Sequence, residues 1–172
     1  PGDSALDWDY MCDRVAAEEP WWEPGTRNGY HLMSFGWVAG ELVRRASGES
    51  LGTFFREEVA EPAGADFWIG LPAEEHHRVS PLRPFRPGKN ETFAAFTDAF
   101  LADPTGLQGR AWRNRGGAQG DSPEVWSAEL GGGGGIANAR GLAKIYEPCA
   151  TGKFVGASQM ERMSRVSVGT ER

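Results

Sequence analysis

The segment Trp21-Trp22-Glu23-Pro24-Gly25-Thr26-Arg27-Asn28-Gly29-Tyr30-His31-Leu32 holds the residues best suited to chemistry in this chain. A lone tyrosine is usually a packing residue, but one delivered by a Pro-Gly turn to the start of a helix is held in a fixed place. A free phenol, with a pKa of about 10, is a weak base at neutral pH; flanking cations favour the phenolate and bring it toward the range useful for proton transfer. Tyr30 is therefore the leading catalytic candidate. A structural Tyr30 would instead pack its ring and hydrogen-bond its hydroxyl. His31, Leu32 and Trp22 are the candidates to contact a substrate beside it, although a single histidine at a helix start is more often a solvent or capping contact.

Other reactive-looking groups carry weaker readings. His76-His77 follows Glu74-Glu75, but adjacent side chains diverge and no His-Glu-x-x-His spacing exists, so no metal is expected. Asp7 and Asp9 flank Trp8; on a helix they face different ways, which argues against a carboxylate pair for glycosidic chemistry. The five glycines Gly131 to Gly135 do not end in the Gly-Lys-Ser/Thr of a phosphate loop, nor do they match a dinucleotide fingerprint. No cofactor is implied. The tryptophans at 8, 21, 22 and 37 fit core and pocket-wall packing better than a carbohydrate platform.

Several elements must position these groups. Residues 5–19 predict a short helix stopped by Pro20. Phe35, Val38, Ala39, Leu42, Val43 and Ala46 form a continuous apolar stripe at helical period, with Gly48 suited to the left-handed position beyond the helix end. Ser50 caps a second helix carrying Leu51, Phe54, Phe55 and Val59, ended by Pro62 and Gly64. Residues 65–72 read as a brief extended segment between Gly and Pro. Residues 80–90 read as a surface loop. Helical spacing resumes at Phe93, Phe96, Phe100 and Leu101 and stops before Pro104. Thr105 to Gly135 has no clear period, with Trp112 and Trp126 available to pin it to the body. Asn138 caps a helix with Leu142, Ile145, Tyr146 and Cys149, and Ser158-Gln159-Met160-Glu161 has the pattern of a capping box.

Composition narrows the function classes. In 172 residues, 40% of them hydrophobic, seven Trp and nine Phe supply a sizeable core for one domain. The 24 glycines imply many turns but show no repeat period. A formal net charge of −6 argues against a nucleic-acid partner, and the basic cluster at 110–115 reads as a solvated loop. Cys12 and Cys149 fit neither a disulfide framework nor a metal spacing; they read as small core residues or free thiols. No apolar run approaches the ~18 residues of a membrane span, so no membrane partner is expected. The compartment stays open, leaning to the cytoplasm.

The order of several short motifs resembles the serine β-lactamase and penicillin-binding-protein superfamily, most closely its family VIII carboxylesterases. The motifs are Glu23-Pro24-Gly25 through Tyr30, the helix ending Arg44-Arg45-Ala46-Ser47-Gly48, Pro62 to Asp66 with Trp68-Ile69-Gly70-Leu71-Pro72, and Gly135 to Ala143. The resemblance implies an α+β fold of the β-lactamase/transpeptidase kind, an antiparallel sheet flanked by helices beside a mostly helical domain. This segment would supply mainly helices, a few short strands and long Gly/Pro-rich loops. In the family the tyrosine opens a Tyr-x-Asn triplet beside the nucleophile's lysine. By that match Tyr30 assists proton removal from the attacking serine and later from the deacylating water. Where the lactamase triplet has Asn, this chain has Leu32, which neither donates nor accepts and favours ester over lactam substrates.

The nucleophile signature of that fold, Ser-x-x-Lys, is not in these residues: Lys89, Lys144 and Lys153 are the only lysines, and Arg86, Gly141 and Ala150 stand three residues before them. No Lys-Thr-Gly follows either. The expectation is thus an internal fragment, residues 1–172 forming a single segment that is inactive alone and partnered by the remaining parts of the same polypeptide. Completed, it would cleave a small-molecule ester through an acyl-enzyme, with backbone N–H groups holding the oxyanion. The alternative is a non-catalytic binding or scaffold module of the same fold.

Overall fold

Polar side chains placed just ahead of apolar runs cap three of the helices. Asp7 accepts a hydrogen bond from the Tyr10 N–H at 3.0 Å and starts α1 (Trp8–Ala17), which follows one 3-10 turn, Ser4–Leu6, and ends before Pro20 as the sequence predicts. The structure, a computed structural model, describes residues 4–31, 33–83, 95–106, 109–110 and 121–166. The second helix, α2 (Phe35–Ser47), ends at Gly48, which is left-handed with φ 82. Ser50 then caps α3 (Leu51–Phe55), accepting from the Thr53 N–H. This helix widens into one π turn, Arg56–Ala60, closed by the Glu61 N–H on the Arg56 carbonyl at 2.9 Å.

The extended segment between Gly and Pro is strand β1 (Phe67–Ile69), and its partner is β2 (Gly135–Ala137), at the end of the glycine run. The two are antiparallel, with Phe67 opposite Ala137 and Trp68 opposite Ile136. A 3-10 segment (Ala73–Arg78) follows β1. Helix α4 (Ala95–Ala102) stops before Pro104; Phe93, Trp112 and most of the 80–90 loop lie outside the described residues. Short α5 (Pro123–Ser127) precedes the glycines. Helix α6 (Ala139–Ala150) is capped by Asn138, whose Oδ1 accepts from the Gly141 N–H at 2.8 Å. In α7 (Ala157–Ser164) the N-cap is Gly156, with no side-chain cap. Ser158 therefore lies inside the helix, and the capping box expected there does not form; Gly156, already extended, starts the helix earlier.

The core gathers where α1, α2 and the glycine run meet. Ala5, Trp37 and Leu130 are buried together, with Trp8, Met11, Cys12, Met33, Val125 and Ala128 packed on them. The glycines make that meeting possible: a Cβ on Gly36 would lie 2.2 Å from the backbone nitrogen of Gly132. The run Gly131–Gly135 is thus a packing surface for α2 and the lead-in to β2.

One polar lock fastens α1 to α2. The Glu41 carboxylate accepts from Trp8 Nε1 at 3.0 Å, from Arg44 Nε at 2.7 Å and Nη2 at 2.9 Å, and from Arg45 Nε at 2.7 Å. These bonds, from Arg44 first and then Trp8 and Arg45, hold its acid well below the usual carboxylate range. Burial, with the charge of Glu41 beside it, pushes the Cys12 thiol up to about 11, so it is an inert packing group.

Part of the apolar stripe of α2 turns outward, while Ala39 and Val43 are half-buried. Phe35, Val38 and Leu42 are 59%, 41% and 66% exposed, while Gly36, Trp37 and Gly40 face the core. The helix is where periodicity puts it, but the small side chains set its packed face because they admit Trp8, Leu51 and the glycine backbone. Among the described residues no helix is long and apolar enough to cross a membrane.

Candidate active site

The Pro-Gly turn before Tyr30 forms as expected. The Thr26 N–H and hydroxyl both donate to the Glu23 carbonyl, at 3.2 and 2.6 Å. Gly25 takes φ +86, a conformation that disfavours any side chain. Residues 27–31, beyond the turn, have no regular structure. Trp22 folds back on it: a Cβ on Gly29 would lie 2.8 Å from the Trp22 ring. Trp22 and the residue before Tyr30 are thereby brought together, with the Trp22 side of the loop partly open at 36% exposure. The neighbouring Trp21 lies 5.6 Å under the Arg110 guanidinium, a cation–π contact; the rest of that basic cluster is outside the described residues.

Tyr30 itself is 87% exposed. Among the described residues it has neither the packed ring nor the hydrogen-bonded hydroxyl of a structural tyrosine. No Lys or Arg of the described residues bonds its hydroxyl, so any cation that favours the phenolate is not among them. His31 is exposed, and its Nδ1 lies 2.9 Å from Ser34 Oγ. Leu32 lies outside the described residues.

The other reactive-looking groups are accounted for structurally. His76 Nε2 lies 3.1 Å from the Leu71 carbonyl oxygen and 3.1 Å from Ser127 Oγ, and Ser127 Oγ lies 3.3 Å from the same carbonyl. A carbonyl only accepts, so both side chains donate to it, and the pair clamps the 3-10 segment to α5 instead of activating a serine. The His76 ring also stands edge-on to Trp126, at 5.3 Å. His77 Nδ1 donates to the Glu74 carbonyl at 2.8 Å. Asp7 caps α1 and Asp9 pairs with Arg44 at 3.5 Å. Glu129, which sequence reasoning passed over, holds the start of α3 through the Gly52 N–H at 2.7 Å and the Ser50 hydroxyl at 2.8 Å. Nothing local marks it, because its partners are far away in the chain. Among the described residues no three His, Cys, Asp or Glu side chains gather as a metal site requires.

Comparison with known proteins agrees with the order of motifs. A family model described as Beta-lactamase matches residues 1–171. The Esterase/beta-lactamase LipL of Mycobacterium tuberculosis (strain ATCC 25618 / H37Rv) is 32% identical over 161 residues, an alignment covering 86% of this chain and 35% of LipL. Two crystal structures superpose on most of the chain. A penicillin-binding protein homolog from Caulobacter crescentus gives a TM-score of 0.76 at 29% identity, covering 98% of this chain and 44% of its own. A family VIII carboxylesterase gives 0.74 at 37% identity, covering 94% and 42%. The chain therefore spans less than half the length of these relatives. With the turn, the exposed tyrosine and the helix behind it arranged on a β-lactamase/transpeptidase fold, the chain belongs to the beta-lactamase family.

Proposed function

We propose that residues 1–172 are the mostly helical middle portion of a serine hydrolase that cleaves carboxylic esters through an acyl-enzyme. The observation that carries the reading is Tyr30, exposed and without a hydrogen-bond partner among the described residues, four residues beyond a built turn in a chain of this family. In this reading a Ser-x-x-Lys elsewhere in the polypeptide supplies the attacking hydroxyl and its lysine. Tyr30 moves the proton from that serine in acylation and from water in deacylation. Trp22, His31 and Leu32 contact the ester. Leu32 stands where a lactamase has an amide, so esters are the better substrates and lactams the poorer ones.

The outward stripe of α2 supports the same reading. Phe35, Val38 and Leu42 lie on one helix face, and in the complete hydrolase the rest of the polypeptide covers them. The 172 residues alone have no turnover, since none of their serines is followed by a lysine three residues on.

The test compares the complete protein with this chain, using a fluorophosphonate label mapped by mass spectrometry together with ester and β-lactam assays. The reading expects an adduct on one serine outside residues 1–172, three residues before a lysine, and faster ester than lactam hydrolysis. An adduct on a serine within this chain overturns the assignment. No adduct anywhere leaves the scaffold module as the better reading.

A further inference from the structure

The serine that starts α2 does not do what Asp7, Ser50 and Asn138 do at their helix starts. Asp7, Ser50, Ser122 and Asn138 all take extended backbone conformations at their N-cap positions, and the side chains of Asp7, Ser50 and Asn138 accept from the helix N–H groups behind them. That is the ordinary use of a polar N-cap. Ser34 instead has a helical backbone, φ −62 and ψ −23, and makes no side-chain cap. Its hydroxyl bonds His31 Nδ1 at 2.9 Å. His31 is exposed and Ser34 half-buried. The cap of the longest described helix is given up and a histidine beside Tyr30 is fixed in its place.

A histidine held through one ring nitrogen has its orientation chosen for it, and the other nitrogen is free to act. A serine hydroxyl both donates and accepts; where it donates to Nδ1, the proton sits on Nε2, which has no partner among the described residues. We infer that Ser34 is a positioning residue that orients His31 so that its Nε2–H donates a hydrogen bond to an oxygen of the bound ester. This rests on the esterase reading above and adds to it how the substrate is held: Leu32 offers no polar group, and the imidazole of the preceding residue supplies one.

Kinetics of the complete protein on a short-chain nitrophenyl ester, combined with ring 15N shifts of His31, test the inference. Loss of one neutral hydrogen bond to the substrate should raise KM about threefold to tenfold in His31→Leu, with kcat little changed. Ser34→Ala should raise KM in the same direction and Ser34→Thr should restore it. Because both residues act through one contact, His31→Leu/Ser34→Ala should be no worse than His31→Leu alone. The 15N shifts should show the Nε2–H tautomer in the wild type and a mixture in Ser34→Ala. An unchanged KM in His31→Leu, or fully additive effects, overturns the positioning role in an active enzyme. A mixed tautomer in the wild type overturns it whatever the turnover. A locked tautomer in a protein that hydrolyses no ester overturns the substrate contact together with the esterase reading.

Discussion

The two faces of α2 are built from different materials and serve different neighbours. The inner face, Gly36, Trp37 and Gly40, is buried against Trp8, Leu51 and the glycine run. The outer face carries Phe35, Val38 and Leu42 of the apolar stripe, and all three are exposed. Helical hydrophobic periodicity thus identifies the helix without telling which neighbour covers the stripe. Here the inner packing is set by a large indole set between two glycines, a combination that hydropathy undervalues because glycine contributes no apolar surface of its own. What glycine contributes is close approach of backbone to backbone.

The sharpest way to break the inner face is Trp37→Ala. The ring is 4% exposed at the centre of the cluster with Ala5 and Leu130, and its loss should cost about 3–5 kcal/mol in the complete protein, read as a fall in the urea midpoint. Next comes Gly36→Ala, whose Cβ would lie 2.2 Å from the Gly132 nitrogen. Backbone must shift to admit it, at about 1–3 kcal/mol. A Gly36→Ala protein as stable as the wild type would mean that the glycine run does not pack on α2 in this way.

The outer face predicts a dependence on context. If the rest of the polypeptide covers the side chain as proposed, Leu42→Ser should cost about 2 kcal/mol in the complete protein, and within about 0.5 kcal/mol in the 172-residue chain, where it is a surface residue. Equal, small effects in both would show that the stripe stays bare. The smallest effect concerns the lock between α1 and α2. The folded-state acid of Glu41 is held below its unfolded value, so its contribution to stability is present above the unfolded value and is lost as pH falls toward the folded one. Glu41→Gln should therefore be less stable than wild type at neutral pH, and the gap in urea midpoints should narrow below about pH 4.

Much of the scaffold around the site was legible in the sequence because its signals are local. Asp7, Ser50 and Asn138 start their helices, Gly48 ends α2, and Pro24-Gly25 makes the turn before Tyr30. The rest depends on residues distant in the chain. Strand β2 has only three residues, and its identity comes from pairing with β1, not from its own Gly-Ile-Ala composition. The Glu129 contact with the start of α3 is invisible for the same reason. Ser158 misled because Gly156 starts α7 ahead of it. At the site, Tyr30, His31 and Trp22 are candidates by residue type and resemblance, whereas the Ser34–His31 pairing depends on a backbone conformation that the sequence does not announce. Leu32 is outside the described residues.

The central claim is that Tyr30 moves protons for ester hydrolysis, and one substitution addresses it directly. Tyr30→Phe removes the hydroxyl and keeps the ring, and since the side chain is 87% exposed the fold should be untouched. In the complete protein, kcat for a short-chain nitrophenyl ester should fall by on the order of 10²-fold or more, with KM little changed because the hydroxyl acts in the transition state. Wild-type kcat in a folded Tyr30→Phe protein would contradict the account and return Tyr30 to the surface residues without a catalytic role.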